Sequence, residues 1–235
     1  MNFLHGIVKL NHFTSSKTAT RIEPHPRRHS AGDYPAPIKA EMTHPPPLRV
    51  VAVSGGLQRP SKAAALVEHL SKLIAAELHC ELQLVELGQL APLLAGTVRR
   101  SELPVSVELD LAAVENADVL VVATPVYRGS YTGLFKHFFD FIHQDALIDT
   151  PVLLAATGGS ERHALMIDHQ LRPLFSFFQA RTLPLGVYAT DRDFVGHALD
   201  NADLLERARL AVERALPVLE LTHRAAASSN RTIAA

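Results

Sequence analysis

Three short stretches of this sequence carry the residue types from which a site for a phosphorylated, planar molecule is built. The first is Ser54-Gly55-Gly56-Leu57-Gln58-Arg59-Pro60-Ser61. Gly55 and Gly56 permit a tight backbone turn that leaves N–H groups exposed. Ser54 and Ser61 add hydroxyl donors, and Arg59 adds a guanidinium fork. A helix starting here would add the positive end of its dipole. Those are the parts of a phosphate cradle, although an ordinary serine-capped turn uses the same residues. The spacing is neither G-x-G-x-x-G nor a P-loop, which argues against a Rossmann dinucleotide site and an NTPase. The second stretch is Thr124-Pro125-Val126-Tyr127-Arg128-Gly129-Ser130-Tyr131-Thr132-Gly133. Pro125 stiffens it and withholds an N–H, so the remaining backbone groups can face a planar heterocycle that Tyr127 stacks on or flanks. A turn with surface tyrosines would look alike. The third, Thr157-Gly158-Gly159-Ser160, lets the backbone approach a flat ligand closely and is weak alone.

Three weak loops become one site only if the fold sets them side by side. Leu48–Val53 is short, apolar and β-branched, as a buried strand should be. Residues 61–78 have helical spacing behind Pro60. Glu81–Leu87 alternates like a half-buried strand, and residues 88–104, with Gly88, Pro92, Gly96 and Pro104, read as a loop. A helix is expected over 105–116, the strongest central strand over 118–123, and a Phe-rich helix over 133–143. A strand over 151–156, a helix over 163–180, a strand over 182–188 and a helix over 202–221 complete the pattern. Five apolar strands joined by helical crossovers predict an α/β, doubly wound parallel sheet of three layers. The flavodoxin-like order 2-1-3-4-5 fits five strands, and it binds ligands beyond the strand carboxyl ends. All three loops would then meet at one edge.

Composition narrows the chemistry. The chain has 235 residues, 47% hydrophobic and 20% charged, with a formal net charge of −1. That balance suits one soluble domain and gives no basic field for nucleic acid. Cys80 is the single cysteine, which excludes an internal disulfide and a Cys-rich zinc site; a reducing cytoplasm is the simplest expectation. No apolar run approaches the ~18 residues of a membrane span. Residues 1–46 read as a disordered or variable extension, 47–222 as the folded domain and 223–235 as a frayed tail. Before Met42 stand six basic residues (Lys9, Lys17, Arg21, Arg27, Arg28, Lys39) against Glu23, Asp33 and Glu41. A transit peptide, or a natural start at Met42, are the other readings of that segment.

Several signals carry less. His163 and His169, like His137 and His143, are six residues apart, whereas a same-face pair on a helix needs three or four, so no metal site is expected. Ser54 and Ser160 lack the G-x-S-x-G elbow of a hydrolase. Phe175, Phe177 and Phe178 suit a core or subunit interface. Pro173 interrupts a helical run, cannot donate to the carbonyl of His169 and crowds it, so a kink or bulge is expected over His169–Pro173.

The stretches LRVVAVSGGLQRPS, ATPVYRGSYTGLFKHFFD and LLAATGGSERHALMIDHQLRPL resemble those of the NADPH-dependent FMN reductases. The likeness is strongest to the reductase components of two-component alkanesulfonate and methanesulfonate monooxygenases, and it spans residues 48–221. It implies that Ser54, Arg59 and Ser61 hold the FMN phosphate, with Lys62 standing where many relatives carry arginine. It implies that Pro125, Val126 and Tyr127 contact the flavin, and that Thr157, Gly158 and Gly159 lie near its ring. His169 matches an inserted residue that forms a π-bulge at a tetramer interface, which would help FMN bind as an exchangeable substrate. The implied reaction is hydride transfer from NADPH (or NADH) to FMN by positioning, so no general acid or base is named. Arg128 and Arg162, beside the flavin loops, are candidates for the nicotinamide cofactor's phosphates. Reduced FMN would pass to a flavin-dependent monooxygenase in sulfonate sulfur assimilation. A homodimer or homotetramer is expected from the likeness and from the Phe-rich helices. The alternatives are a flavin-bound quinone, azo or metal reductase, and a flavodoxin-type electron carrier, which the weak net charge disfavours.

Overall fold

Strand residues one apart in sequence point to opposite faces of a sheet, and here both faces are covered. The structure, a computed structural model, describes residues 46–233, with side chains through residue 225. The strands are β1 (Leu48–Ser54), β2 (Cys80–Glu86), β3 (Val119–Pro125), β4 (Pro151–Gly158), β5 (Arg181–Thr182) and β6 (Val187–Thr190). They form one parallel sheet in the order β2-β1-β3-β4-β5, with β6 also pairing β4. This is the flavodoxin-like order. The fifth position holds two segments where one strand over 182–188 was expected, because Pro184 cannot donate to the ladder.

The helices are α1 (Lys62–Glu77), α2 (Leu87–Leu94), α3 (Val105–Glu115), α4 (Gly133–Phe139), α5 (Arg172–Phe177) and α6 (Ala202–Ile233). Leu48, Val50 and Ala52 of β1, with Val119 and Val121 of β3, bury against α1 and α6. Their neighbours Val51, Val53, Leu120 and Val122 face the other way, toward α2, α3, α4 and α5. Phe135, Phe138, Phe139 and Phe175 fill that second layer and are fully buried. Each burial contributes roughly 1.5–3 kcal/mol. The Phe-rich faces expected at an oligomer interface are thus largely spent on the core, while Phe177 is 67% exposed.

Three differences from the sequence reading have local causes. Residues 88–94, expected as loop, and Leu87, expected to end a strand, form α2 despite Gly88 and Pro92, because Leu87, Leu90 and Leu94 share one face and bury together. Helix α4 stops at Phe139, where the turn tightens: Phe141 and Ile142 donate to the carbonyls of Phe138 and Phe139. The tail expected to fray from 223 continues α6 to Ile233, since Ala225–Ala227 favour helix and no Gly or Pro intervenes. The extension expected over 1–46 lies outside the described residues except for its last position. A short antiparallel hairpin that the sequence did not announce, β7 (Phe194–Val195) and β8 (Ala198–Leu199), precedes α6. Among the described residues, no helix is long and apolar enough to cross a membrane.

Candidate functional site

The three Gly/Ser/Thr loops leave the carboxyl ends of β1, β3 and β4, which lie next to one another. Ser54 pairs in register with Ala123, and Pro125 with Thr157. Hydrogen bonds then tie the loops together. The Gly55 N–H donates to the Ala123 carbonyl at 2.7 Å, and the Val126 N–H to the Thr157 carbonyl at 2.7 Å. Thr132 caps α4 by accepting from the Phe135 N–H at 3.2 Å while its hydroxyl donates to the Gly55 carbonyl at 3.3 Å. One side chain therefore fixes both a helix start and the spacing between the first two loops.

Each loop has its own internal lock. In the first, Ser61 caps α1 by accepting from the Ala64 N–H at 3.3 Å. A Cβ at Gly56 would overlap that hydroxyl, so only glycine fits over the start of α1. In the second, Tyr127 and Ser130 exchange backbone hydrogen bonds at 2.8 and 3.2 Å. The two residues between them, Arg128 (φ 54°) and Gly129 (φ 82°), both have left-handed backbones, the signature of a type I′ turn. In the third, Tyr188 donates from its hydroxyl to the Ser160 carbonyl at 2.7 Å and occupies the space a side chain at 158 would need. Burial, with the nearby Asp191 carboxylate adding to it, pushes the Tyr188 phenol up, so it stays a donor.

Between the loops opens a cleft of about 240 Å³. Ser61, Lys62, Pro125, Val126, Tyr127, Thr157, Gly158 and Gly159 line it. Ser54 and Arg59 do not. Ser54 is buried under the loop and accepts from the Gly56 N–H at 3.4 Å. Arg59 turns outward, with its Nε donating to Glu86 at 2.7 Å and its side chain 64% exposed. Arg128 sits on the type I′ turn outside the cleft lining. Arg162 lines an adjoining cleft that shares Gly159 and Asp191 with the first. His169 falls in a π-helical turn, Ile167–Leu171, and Pro173 in the first turn of α5 that follows. That turn reaches the site, because the Ser130 hydroxyl donates to Gln170 Oε1 at 3.1 Å.

Two cleft residues escaped the sequence reading. Asp191 holds the Lys62 ammonium at 2.8 Å. His197 arrives on the β7–β8 hairpin. A Gly-His pair between two apolar dipeptides is a hairpin signal, but a two-residue strand is too short for its periodicity to register.

The donor set matches a phosphorylated planar ligand. At one end the first turn of α1, whose N–H groups no helix satisfies internally, meets Ser61 and Lys62. At the other, Pro125 and Val126 lie opposite the bare backbone of Gly158 and Gly159, and Tyr127, 50% exposed, offers a ring face. Among the described residues no group of three or more His, Cys, Asp or Glu side chains could hold a metal ion.

Comparison with known proteins bears on what that ligand is. The profile of a family described as NADPH-dependent FMN reductase matches residues 48–194. An NADH-dependent FMN reductase of Pseudomonas putida is 58% identical over 177 residues, covering 75% of this chain and 95% of its own length. A protein of Pseudomonas aeruginosa named FMN reductase (NADPH) is 54% identical over 172 residues, covering 73% of this chain and 92% of its own. Among solved structures, an oxidoreductase from Corynebacterium diphtheriae superposes with a TM-score of 0.65 at 35% identity, over 73% of this chain and 97% of that one.

Proposed function

This chain belongs to the NADPH-dependent FMN reductase family and is an FMN reductase that uses NAD(P)H; we propose that it works at the strand-edge cleft and passes reduced FMN to a separate monooxygenase in sulfonate sulfur assimilation. The observation that carries the reading is the convergence of Ser61, Lys62, Pro125, Val126, Tyr127, Thr157, Gly158 and Gly159 on one cleft. FMN and the nicotinamide supply the acceptor and the donor of a hydride.

The protein's own part is placement. Ser61, Lys62 and the first N–H groups of α1 take the phosphate, and the Gly158-Gly159 backbone and Val126 set the plane of the ring. Tyr127 covers one side of the cleft and excludes water from it. Hydride transfer by positioning requires no side chain to move a proton. Ser54 supports the loop from beneath. Arg59 reaches the phosphate only by leaving Glu86, whose side chain is 10% exposed and would be left without its charged partner. We read the protein as a homo-oligomer.

Titration with FMN and steady-state oxidation of NADH and NADPH, crossed with FMN, FAD and riboflavin, test the reading. FMN should be bound and reduced in preference to riboflavin, and the as-purified protein should be largely colourless. No FMN uptake would overturn it, and a firmly yellow protein that reduces quinones without added FMN would replace it with a bound-flavin reductase.

Arg162 is the better placed of the two arginines offered to the nicotinamide cofactor, because its cleft continues the flavin cleft past Gly159. Arg162→Ala should raise the KM for NADPH by roughly tenfold, the weight of a charge-assisted hydrogen bond, and leave FMN affinity unchanged. Arg128→Ala should do less. Equal kinetic constants for both variants and wild type would exclude both residues.

A further inference from the structure

The family match ends at residue 194, yet the hairpin that starts there reaches the cleft. Its strands β7 and β8 pair through the two-residue turn Gly196-His197. Gly196 has φ +63°, the left-handed backbone that the first central position of a primed hairpin turn demands. The base of the hairpin is anchored on both sides. Thr190 and Asp193 cap one another, with the Thr190 N–H donating to Asp193 Oδ2 at 2.6 Å, and the Asp200 N–H donates to the Asp193 carbonyl at 3.0 Å. Phe194 is buried, and its ring centroid lies 5.4 Å from the Lys62 ammonium. The hairpin therefore stands beside the first turn of α1, at the phosphate end of the cleft.

Its tip, His197, is exposed, lines the cleft and has no hydrogen-bond or ionic partner among the described residues. We propose that His197 is a phosphate ligand, donating an imidazole N–H to the FMN phosphate from the hairpin beside the first turn of α1. This rests on the FMN reading of the cleft and adds to it a residue that distinguishes FMN from riboflavin. The charges around the cleft leave room for it. Arg59 is engaged by Glu86, and Asp191 offsets part of the Lys62 charge. His197 lines the same cleft as Ser61 and Lys62, on the hairpin beside the first turn of α1. A donor on a hairpin pinned at its base loses little conformational freedom on binding, which favours a specific contact over a floppy one.

Binding titrations of wild type, His197→Ala and His197→Lys with FMN and with riboflavin test this. His197→Ala should raise the FMN dissociation constant roughly tenfold, the worth of one hydrogen bond to a charged group, and leave riboflavin binding and thermal stability unchanged. His197→Lys should restore most of the FMN affinity. An unchanged FMN constant in His197→Ala, or equal losses for FMN and riboflavin, would overturn the inference while leaving the FMN site standing. Failure of the wild-type protein itself to take up FMN would remove the site and the inference together.

Discussion

Gly88→Ala is expected to weaken FMN binding by roughly tenfold or more, although Gly88 does not line the cleft. Glycine to alanine inside an exposed helix ordinarily stabilises by about 0.5–1 kcal/mol. Here the added Cβ would stand 2.8 Å from the Gly56 carbonyl oxygen and 2.9 Å from the carbonyl carbon and oxygen of Leu57. Those are backbone atoms of the phosphate loop, and no rotamer change moves them aside. Either α2 or the loop must shift by several tenths of an ångström. Helix α2 is held by the fully buried Leu87 and Leu94, so the loop is the part that yields. Overpacking of this kind costs about 1–3 kcal/mol, more than the helix gains. A binding constellation tolerates displacements of only about 0.5 Å, so the loss shows in affinity as well as in stability. FMN titration and thermal melting of the variant decide it. A lower melting temperature with an unaltered FMN constant would mean that the loop's fine geometry does not set binding.

That dependence on Gly88 shows what the sequence conceals. The sheet order and the meeting of the three loops were legible because they follow from strong local signals. Val119–Ala123 is apolar throughout, as only a doubly covered strand can be, and each Gly/Ser/Thr loop directly follows such a strand. The irregularity around His169–Pro173 was legible for a similar reason: a proline without an N–H cannot sit in an unbroken helix. Helix α2 was hidden because Gly88 and Pro92 are breakers by type. Their cost is outweighed by the tertiary burial of Leu87, Leu90 and Leu94, which no local pattern measures. The need for glycine at 88 comes from the backbone of Gly56 and Leu57, distant in the chain. The same limit applies to Arg59, which by type belongs to a phosphate and by position reaches Glu86. It applies also to His197, whose place at the cleft is set by Phe194 docking beside Lys62. Residue type and spacing found the cleft. The partners of its long charged side chains were decided by contacts distant in sequence.

Deleting His169 is expected to tighten FMN retention by roughly tenfold and to slow turnover in proportion, a shift of about 1.4 kcal/mol. The π-turn Ile167–Leu171 closes with the Arg172 N–H donating to the Ile167 carbonyl, one residue further back than in an α-helix. A π-turn is thus an α-turn with one residue inserted. Removing an inserted residue leaves the flanks in register, so buried Met166 and Phe175 keep their places in the core. His169 itself is exposed, and its loss forfeits no packing. The change is in stiffness. The wider turn, followed by Pro173 with no N–H to offer the His169 carbonyl, is a weak point in local stability. Gln170 within it is hydrogen-bonded to Ser130, which closes the turn carrying Tyr127. Loosening at 167–171 therefore reaches the loop that would cover the flavin, and a regular helix would hold that loop closed longer. Stopped-flow release of FMN from the deletion variant reads this directly. Ser130→Ala tests the path, since with the bond to Gln170 cut, deleting His169 should no longer slow release. Release rates and turnover equal to wild type in the deletion variant would show that the π-turn has no hold on the flavin.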